Sequence, residues 1–102
     1  MEFLLVHKMM GALPPQIQMK ILEVSKNRLQ LAPGAKELCS YKPIGQTGAI
    51  CIWEAPNIGV LQPLIDQLSN LGVTTEITPL EKSDVAMEKW AKALEQMKDM
   101  MG

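Results

Sequence analysis

The chain of 102 residues predicts an α+β fold in the order β-α-β-β-α-β, with one more helix appended. Three observations predict it. Short apolar or β-branched runs alternate with stretches of helical period. Pro and Gly punctuate nearly every change between them. A composition of 47% hydrophobic and 21% charged residues is that of a folded globular chain, which excludes disorder.

Residues 2–9, EFLLVHKM, form the first strand, with Phe3, Leu5, His7 and Met9 on one face and Leu4, Val6 and Lys8 on the other. Gly11 and Pro14-Pro15 end it, and proline suits a first helical turn. Ile17, Ile21, Leu22, Val24 and Leu29 then repeat with a helical period over 15–30, until Ala32-Pro33-Gly34 stops the helix. Residues 35–42 and 48–54 read as two strands joined by the hairpin loop Pro43-Ile44-Gly45-Gln46-Thr47. Ala49-Ile50-Cys51-Ile52-Trp53 is almost wholly apolar, so the third strand is central.

Pro56-Asn57 breaks that strand, and Asn57 suits a helix N-cap. Leu61, Leu64, Ile65, Leu68 and Leu71 make the next amphipathic stripe, closed by Gly72. Pro63 inside it predicts a broken first turn or a start near residue 61. VTTEITPL, residues 73–80, is a fourth strand, and Pro79 places it at a sheet edge. Ser83-Asp84 opens a last helix reaching Met101, with Met87, Trp90, Leu94, Met97 and Met101 in a narrow seam. The first six elements follow the ferredoxin-like plan, a four-stranded antiparallel sheet in the order 4-1-3-2 with two helices on one face. The whole chain, 1–102, reads as one domain with its core in 2–81.

In this plan one sheet face lies bare. Strands one and three are apolar on both faces, and a patch of that kind exceeds what soluble monomers tolerate. The sequence therefore predicts a homodimer closed through the open sheet face. The last helix must also bury its seam, at the sheet edge, over the open face or on the partner. Trp90, Leu94 and Met97 are its interface candidates.

Charge and motifs narrow the function. A net charge of −1 leaves no basic surplus for nucleic acid. The opening run from Phe3 to Val6 is too short for a signal segment or membrane span. Cys39 and Cys51, the two cysteines, read as reduced thiols of a cytoplasmic protein. No P-loop, dinucleotide fingerprint or zinc-protease motif occurs in the sequence, and no cofactor or metal is called for. The eight methionines read as core and seam fillers rather than copper ligands.

The plan, the length and the segment Ile52-Trp53-Glu54-Ala55-Pro56-Asn57, followed by a helix with Leu61 and Leu68, resemble the muconolactone isomerase-like branch of the dimeric α/β-barrel proteins. The resemblance covers residues 2–81. It implies a homodimer whose sheets enclose a central cavity, and cofactor-independent isomerase- or cyclase-like chemistry on a small apolar or aromatic molecule. It implies no particular catalytic set.

The residues offer their own candidates. His7, the one histidine, is either a general base in the cavity, oriented by Glu76 or Tyr41, or a histidine packed at the dimer interface. Phe3, Leu5, Met9, Cys51 and Trp53, with Tyr41, are the candidate walls of the inter-sheet pocket. Glu37 reads as a solvated strand end, and Glu54 as an acid complementing a helix N-terminus. If Lys42 pairs with Gly48, Cys39 stands opposite Cys51. The alternative to an enzyme is a non-catalytic ligand-binding or regulatory module of the same topology.

Overall fold

The computed structural model describes residues 1–45 and 47–101. Its strands are β1 (Glu2–Met9), β2 (Lys36–Tyr41), β3 (Ala49–Glu54) and β4 (Val73–Leu80). They form one antiparallel sheet in the order β2-β3-β1-β4, which is the ferredoxin-like order 4-1-3-2. Proline-bearing β4 is an edge strand, as a chain lacking one ladder N–H requires. Of the predicted hairpin loop, Gln46 lies outside the described residues.

The helices are α1 (Pro15–Lys26), α2 (Arg28–Leu31), α3 (Gln62–Asn70) and α4 (Ser83–Met101). The single helix expected over 15–30 is interrupted at Asn27. Its side-chain amide donates to the Glu23 carbonyl, where its own backbone N–H also donates, so Asn27 closes α1 rather than continuing it. Pro63 sits in the first turn of α3, after a 3₁₀ turn over Ile58–Val60. There its missing N–H would have had no intrahelical partner. Gly72 follows α3 with φ 89°, the left-handed geometry that lets the chain turn directly into β4.

The register assigns the faces. Phe3 pairs with Trp53, Leu5 with Cys51 and His7 with Ala49, and these side chains face α1 and α3. Ile21, Leu61, Leu64, Ile65 and Leu68 complete that core. Leu4, Val6, Ile50 and Ile52 face the other way and no helix covers them. The inter-sheet pocket expected from Phe3, Leu5, Met9, Cys51 and Trp53 is therefore on the wrong side: all five belong to the helix-covered face. Period two decides this, since a shift of one residue exchanges the faces.

The expected β2–β3 register holds at Lys36↔Glu54 and Glu37↔Trp53 and then slips. A bulge between Glu37 and Cys39 absorbs one residue, so Cys39 pairs with Ile52 and turns to the open face while Cys51 stays on the covered one. The two cysteines are not opposed.

Helix α4 stands away from the rest. None of its residues is buried, and it has no substantial packing against the other described elements. An ion pair from Lys89 back to Glu81 holds its first turns. Its projection gives the chain a long axis of 64 Å against 29 and 22 Å across. Two of the three places expected for the seam, the sheet edge and the chain's own open face, are thus not used. Among the described residues no helix is long and apolar enough to cross a membrane.

Candidate functional site

Helix α1 packs against α3 and contributes one buried residue, Ile21, to the core. It does not settle onto the sheet. The space left between them is a cleft of ≈ 620 Å³, within the range of small-molecule pockets. His7, Met9, Ala49, Cys51 and Trp53 form its sheet wall, and Leu64 and Leu68 close it from α3. Met19 and Leu22 of α1 also line it yet remain 71% and 55% exposed, so the mouth opens past them. The β2 side adds Glu37, Ser40 and Lys42, and α2 adds Arg28.

His7 is buried in this wall. Its Nδ1 lies 2.8 Å from Thr75 Oγ1 on β4, and its Nε2 lies 3.4 Å from Cys51 Sγ on β3. The indole Nε1 of Trp53 donates to the same sulfur at 3.2 Å. An indole only donates, so Sγ accepts that bond, and its own proton has two acceptors in reach, the Leu5 carbonyl at 3.9 Å and His7 Nε2 at 3.4 Å. A His7 ring protonated on Nδ1 donates to Thr75 and accepts from the thiol; the other tautomer reverses both bonds.

Burial lowers the His7 pKa below its usual 6.5, opposed by the nearby negative charge of Glu37. The ring is neutral at pH 7. Burial also pushes the Cys51 thiol up to about 11, although the Trp53 N–H bond favours its thiolate. Both groups rest uncharged.

One ion pair borders the cleft. Arg28 donates from Nε to Glu37 Oε2 at 2.8 Å and from Nη2 to Oε1 at 2.9 Å, while Nη1 donates to the Ser25 carbonyl at 2.8 Å. The fork bridges α2 to the sheet and raises the arginine pKa, chiefly through its bond to Glu37. Glu37, expected at a solvated strand end, has a side chain only 11% exposed.

His7 is thus brought together with Cys51, Trp53 and Met9, and not with its expected orienting partners. Glu76 pairs with Val6 on the open face, where its carboxylate is 4.0 Å from Lys8 Nζ and 72% exposed. Tyr41 pairs with Ile50 on that same face and is 70% exposed. Neither reaches His7 through the sheet. Phe3 and Leu5 are core residues that do not line the cleft. Trp90, Leu94 and Met97 lie exposed on α4, away from the cleft.

Thr75, Arg28 and Glu37 are the participants that sequence reasoning missed. The signal for Thr75 was the strand order, which sets β4 beside β1, but the register there is fixed by packing rather than by a hairpin. Glu37 shares its face with Trp53 two strands from His7, a relation hidden by the bulge, since the register near the loop would set Glu37 opposite Glu54. Among the described residues no group of His, Cys, Asp and Glu is arranged to hold a metal ion.

No protein-family model matches the chain, and no curated protein sequence matches it. Among solved structures it is similar to 5-chloro-2-hydroxyhydroquinone dehydrochlorinase (TftG) from Burkholderia phenoliruptrix, determined in complex with 2,5-dihydroxybenzoquinone. The TM-score is 0.57 at 17% identity, over 82% of this chain and 97% of that one. The likeness is one of fold, α+β and ferredoxin-like.

Proposed function

We propose that the chain binds a small, planar, mainly apolar molecule in the cleft between α1 and the sheet and transfers a proton on it through His7, as a cofactor-independent isomerase- or cyclase-like enzyme of the muconolactone isomerase-like branch. The observation that carries this reading is a neutral, buried imidazole in the wall of a largely apolar cleft. A neutral imidazole is the form that accepts a proton. The solved neighbour was determined with a dihydroxybenzoquinone, and a single ring of that size suits the volume here. A homodimer closed through the open sheet faces, in a reducing compartment such as the cytoplasm, belongs to the same proposal. The uncovered Leu4, Val6, Ile50 and Ile52 and the two free thiols support it.

The second reading is a binding module without chemistry. It is favoured by one observation, that Thr75 and Cys51 engage both ring nitrogens of His7. Titration of the labelled protein with 2,5-dihydroxybenzoquinone, followed by NMR, separates the readings. Shifts at His7, Ala49 and the Trp53 indole are expected. Shifts confined to Leu4, Val6, Ile50 and Ile52 would place the ligand on the open face and defeat the proposal. In D₂O the enzyme reading further expects protein-catalysed exchange of the ligand's ring protons, lost in His7→Gln. Binding without exchange leaves the module.

A further inference from the structure

We propose that Cys51 is the atom that meets an electrophilic ligand in this cleft, with His7 as its base and Thr75 as the residue that positions the base. The inference deepens the proposed function and rests on its assumption that the cleft admits a small planar molecule. At rest both His7 nitrogens are engaged, so Nε2 exchanges protons with a ligand only once the Cys51 thiol has given its own proton up. Nδ1 is held by Thr75 at 2.8 Å, and Nε2 faces the Cys51 sulfur at 3.4 Å. Cys51, 3% exposed, is in turn one of the residues lining the cleft. A nucleophile within hydrogen-bond reach of a base, and a base fixed by a third group, is the arrangement that activates a nucleophile for covalent chemistry. Three strands supply the three members, β3, β1 and β4, so rigid sheet pairing sets their distances.

Trp53 adds a fourth part. Its indole N–H points at the sulfur from 3.2 Å and stabilises charge that develops there. The charged groups nearest the pair are Glu37 of β2, which favours a protonated His7, and its partner Arg28 of α2, and burial outweighs both. Lys42, exposed, lines the same β2 side of the cleft. Across the cleft α3 presents Leu64 and Leu68, and α1 contributes the uncharged Gln18 and Ser25. The resting pair is therefore neutral thiol and neutral imidazole, and the proton must move as the new bond forms.

The matching ligand class is an uncharged α,β-unsaturated carbonyl, including a quinone ring. The Cys51 sulfur forms a bond to the β-carbon while its proton passes to His7 Nε2. The carbon–carbon π pair shifts to give an enolate oxygen. His7 then returns its proton to that oxygen, or to the α-carbon, and is neutral again. The product is the thioether adduct of one thiol and one ligand, with no oxidant or reductant consumed.

The test uses the Cys39→Ser chain, which removes the other thiol, and 1,4-benzoquinone as probe under anaerobic conditions. One adduct per chain is expected by intact mass, mapped to Cys51 and absent from Cys51→Ser. The rate is expected to be level from pH 6.5, the free value that His7 titrates below, to about pH 8, before direct thiolate formation adds to it. A thiol titrating near 11 without a base would instead climb about tenfold per pH unit. His7→Gln is expected to lower the rate at pH 7 about 10²-fold or more and to restore that climb. Thr75→Val, which keeps thiol and imidazole but releases the ring, serves if His7→Gln fails to fold, and is expected to slow the reaction. No adduct, an adduct elsewhere than Cys51, or a rate unchanged in the folded variants overturns the proposal. Binding shifts from 2,5-dihydroxybenzoquinone with no benzoquinone adduct also overturn it, while leaving the binding reading in place. A His7-dependent adduct on Cys51 without those shifts supports it against that reading.

Discussion

His7 and Cys51 are uncharged neighbours whose burial moves them in opposite directions, and this makes the fold sensitive to pH on both sides of neutrality. For His7 the folded pKa lies below the free value of 6.5. Its contribution to stability is present above 6.5 and is lost as pH falls from there towards the folded value, because the unfolded chain then binds the extra proton. For Cys51 the folded pKa of about 11 lies above the free value of 9.0. Its contribution is present below 9.0 and is lost as pH rises to about 11. Calorimetry on wild type, His7→Gln and Cys51→Ser isolates the two limbs. The melting-temperature advantage of wild type over His7→Gln is expected to shrink between pH 7 and pH 5, and that over Cys51→Ser between pH 9 and pH 11. Parallel curves in both ranges would show that neither group is desolvated as the cleft wall requires.

At the scale of the element, the hairpin that ends at Gly48 fixes where His7 stands. Gly48 has φ 104°, and a Cβ there would collide with the His7 carbonyl oxygen. Both facts restrict the position to glycine. Gly48→Ala is expected to destabilise by at least about 1 kcal/mol from its backbone conformation alone. It is also expected to shift the His7 ring resonances by forcing β3 off β1. Denaturant unfolding and NMR check the two effects, and a variant with wild-type midpoint and unmoved His7 signals contradicts this account. The same element marks the limit of what the sequence discloses. Strand positions, the order 4-1-3-2, the edge role of Pro79-bearing β4 and the extra helix were legible, because periodicity and Pro/Gly punctuation are local. So was His7 as the residue to watch. Its partners were not, because they depend on register. Assigning Glu76 instead of Thr75 is an error of one residue on β4, and that one residue changes the sheet face. The bulge before Cys39 is the same kind of event, since nothing in ELCSY announces which residue the ladder will skip. Which face α1 and α3 cover is likewise a tertiary choice, as both faces of β1 and β3 are apolar.

At the scale of the whole molecule two apolar surfaces, the open sheet face and the α4 seam, lack a partner among the described residues. Trp90 is 65% exposed, Leu94 48% and Met97 57%, on a helix with no buried residue. A 19-residue helix spans about 28 Å, and an isolated helix of that length is only marginally stable in water. Helical propensity and the Lys92–Glu88 pair at 3.6 Å, worth about 0.3–0.5 kcal/mol, do not hold it alone. In the proposed dimer, burial of the seam supplies the rest. The seam's spacing is that of a helix packing on another helix, and a second copy of the chain offers both an identical seam and an identical open sheet face. Within one chain Trp90 touches no core, so Trp90→Ala removes nothing from the fold of 2–81. In an assembled pair it removes an aromatic anchor, a loss of about 2 kcal/mol or more at an interface and at least some thirtyfold in affinity. The expected outcome is a split. Light scattering should find wild type at twice the 11.3 kDa chain mass at micromolar concentration and Trp90→Ala dissociating towards the single chain. Circular dichroism should show helix lost in proportion, while the sheet and the His7 resonances stay in place. A wild-type monomer at that concentration defeats the dimer. A dimer of unchanged affinity in Trp90→Ala assigns assembly to the sheet face alone and leaves α4 outside it.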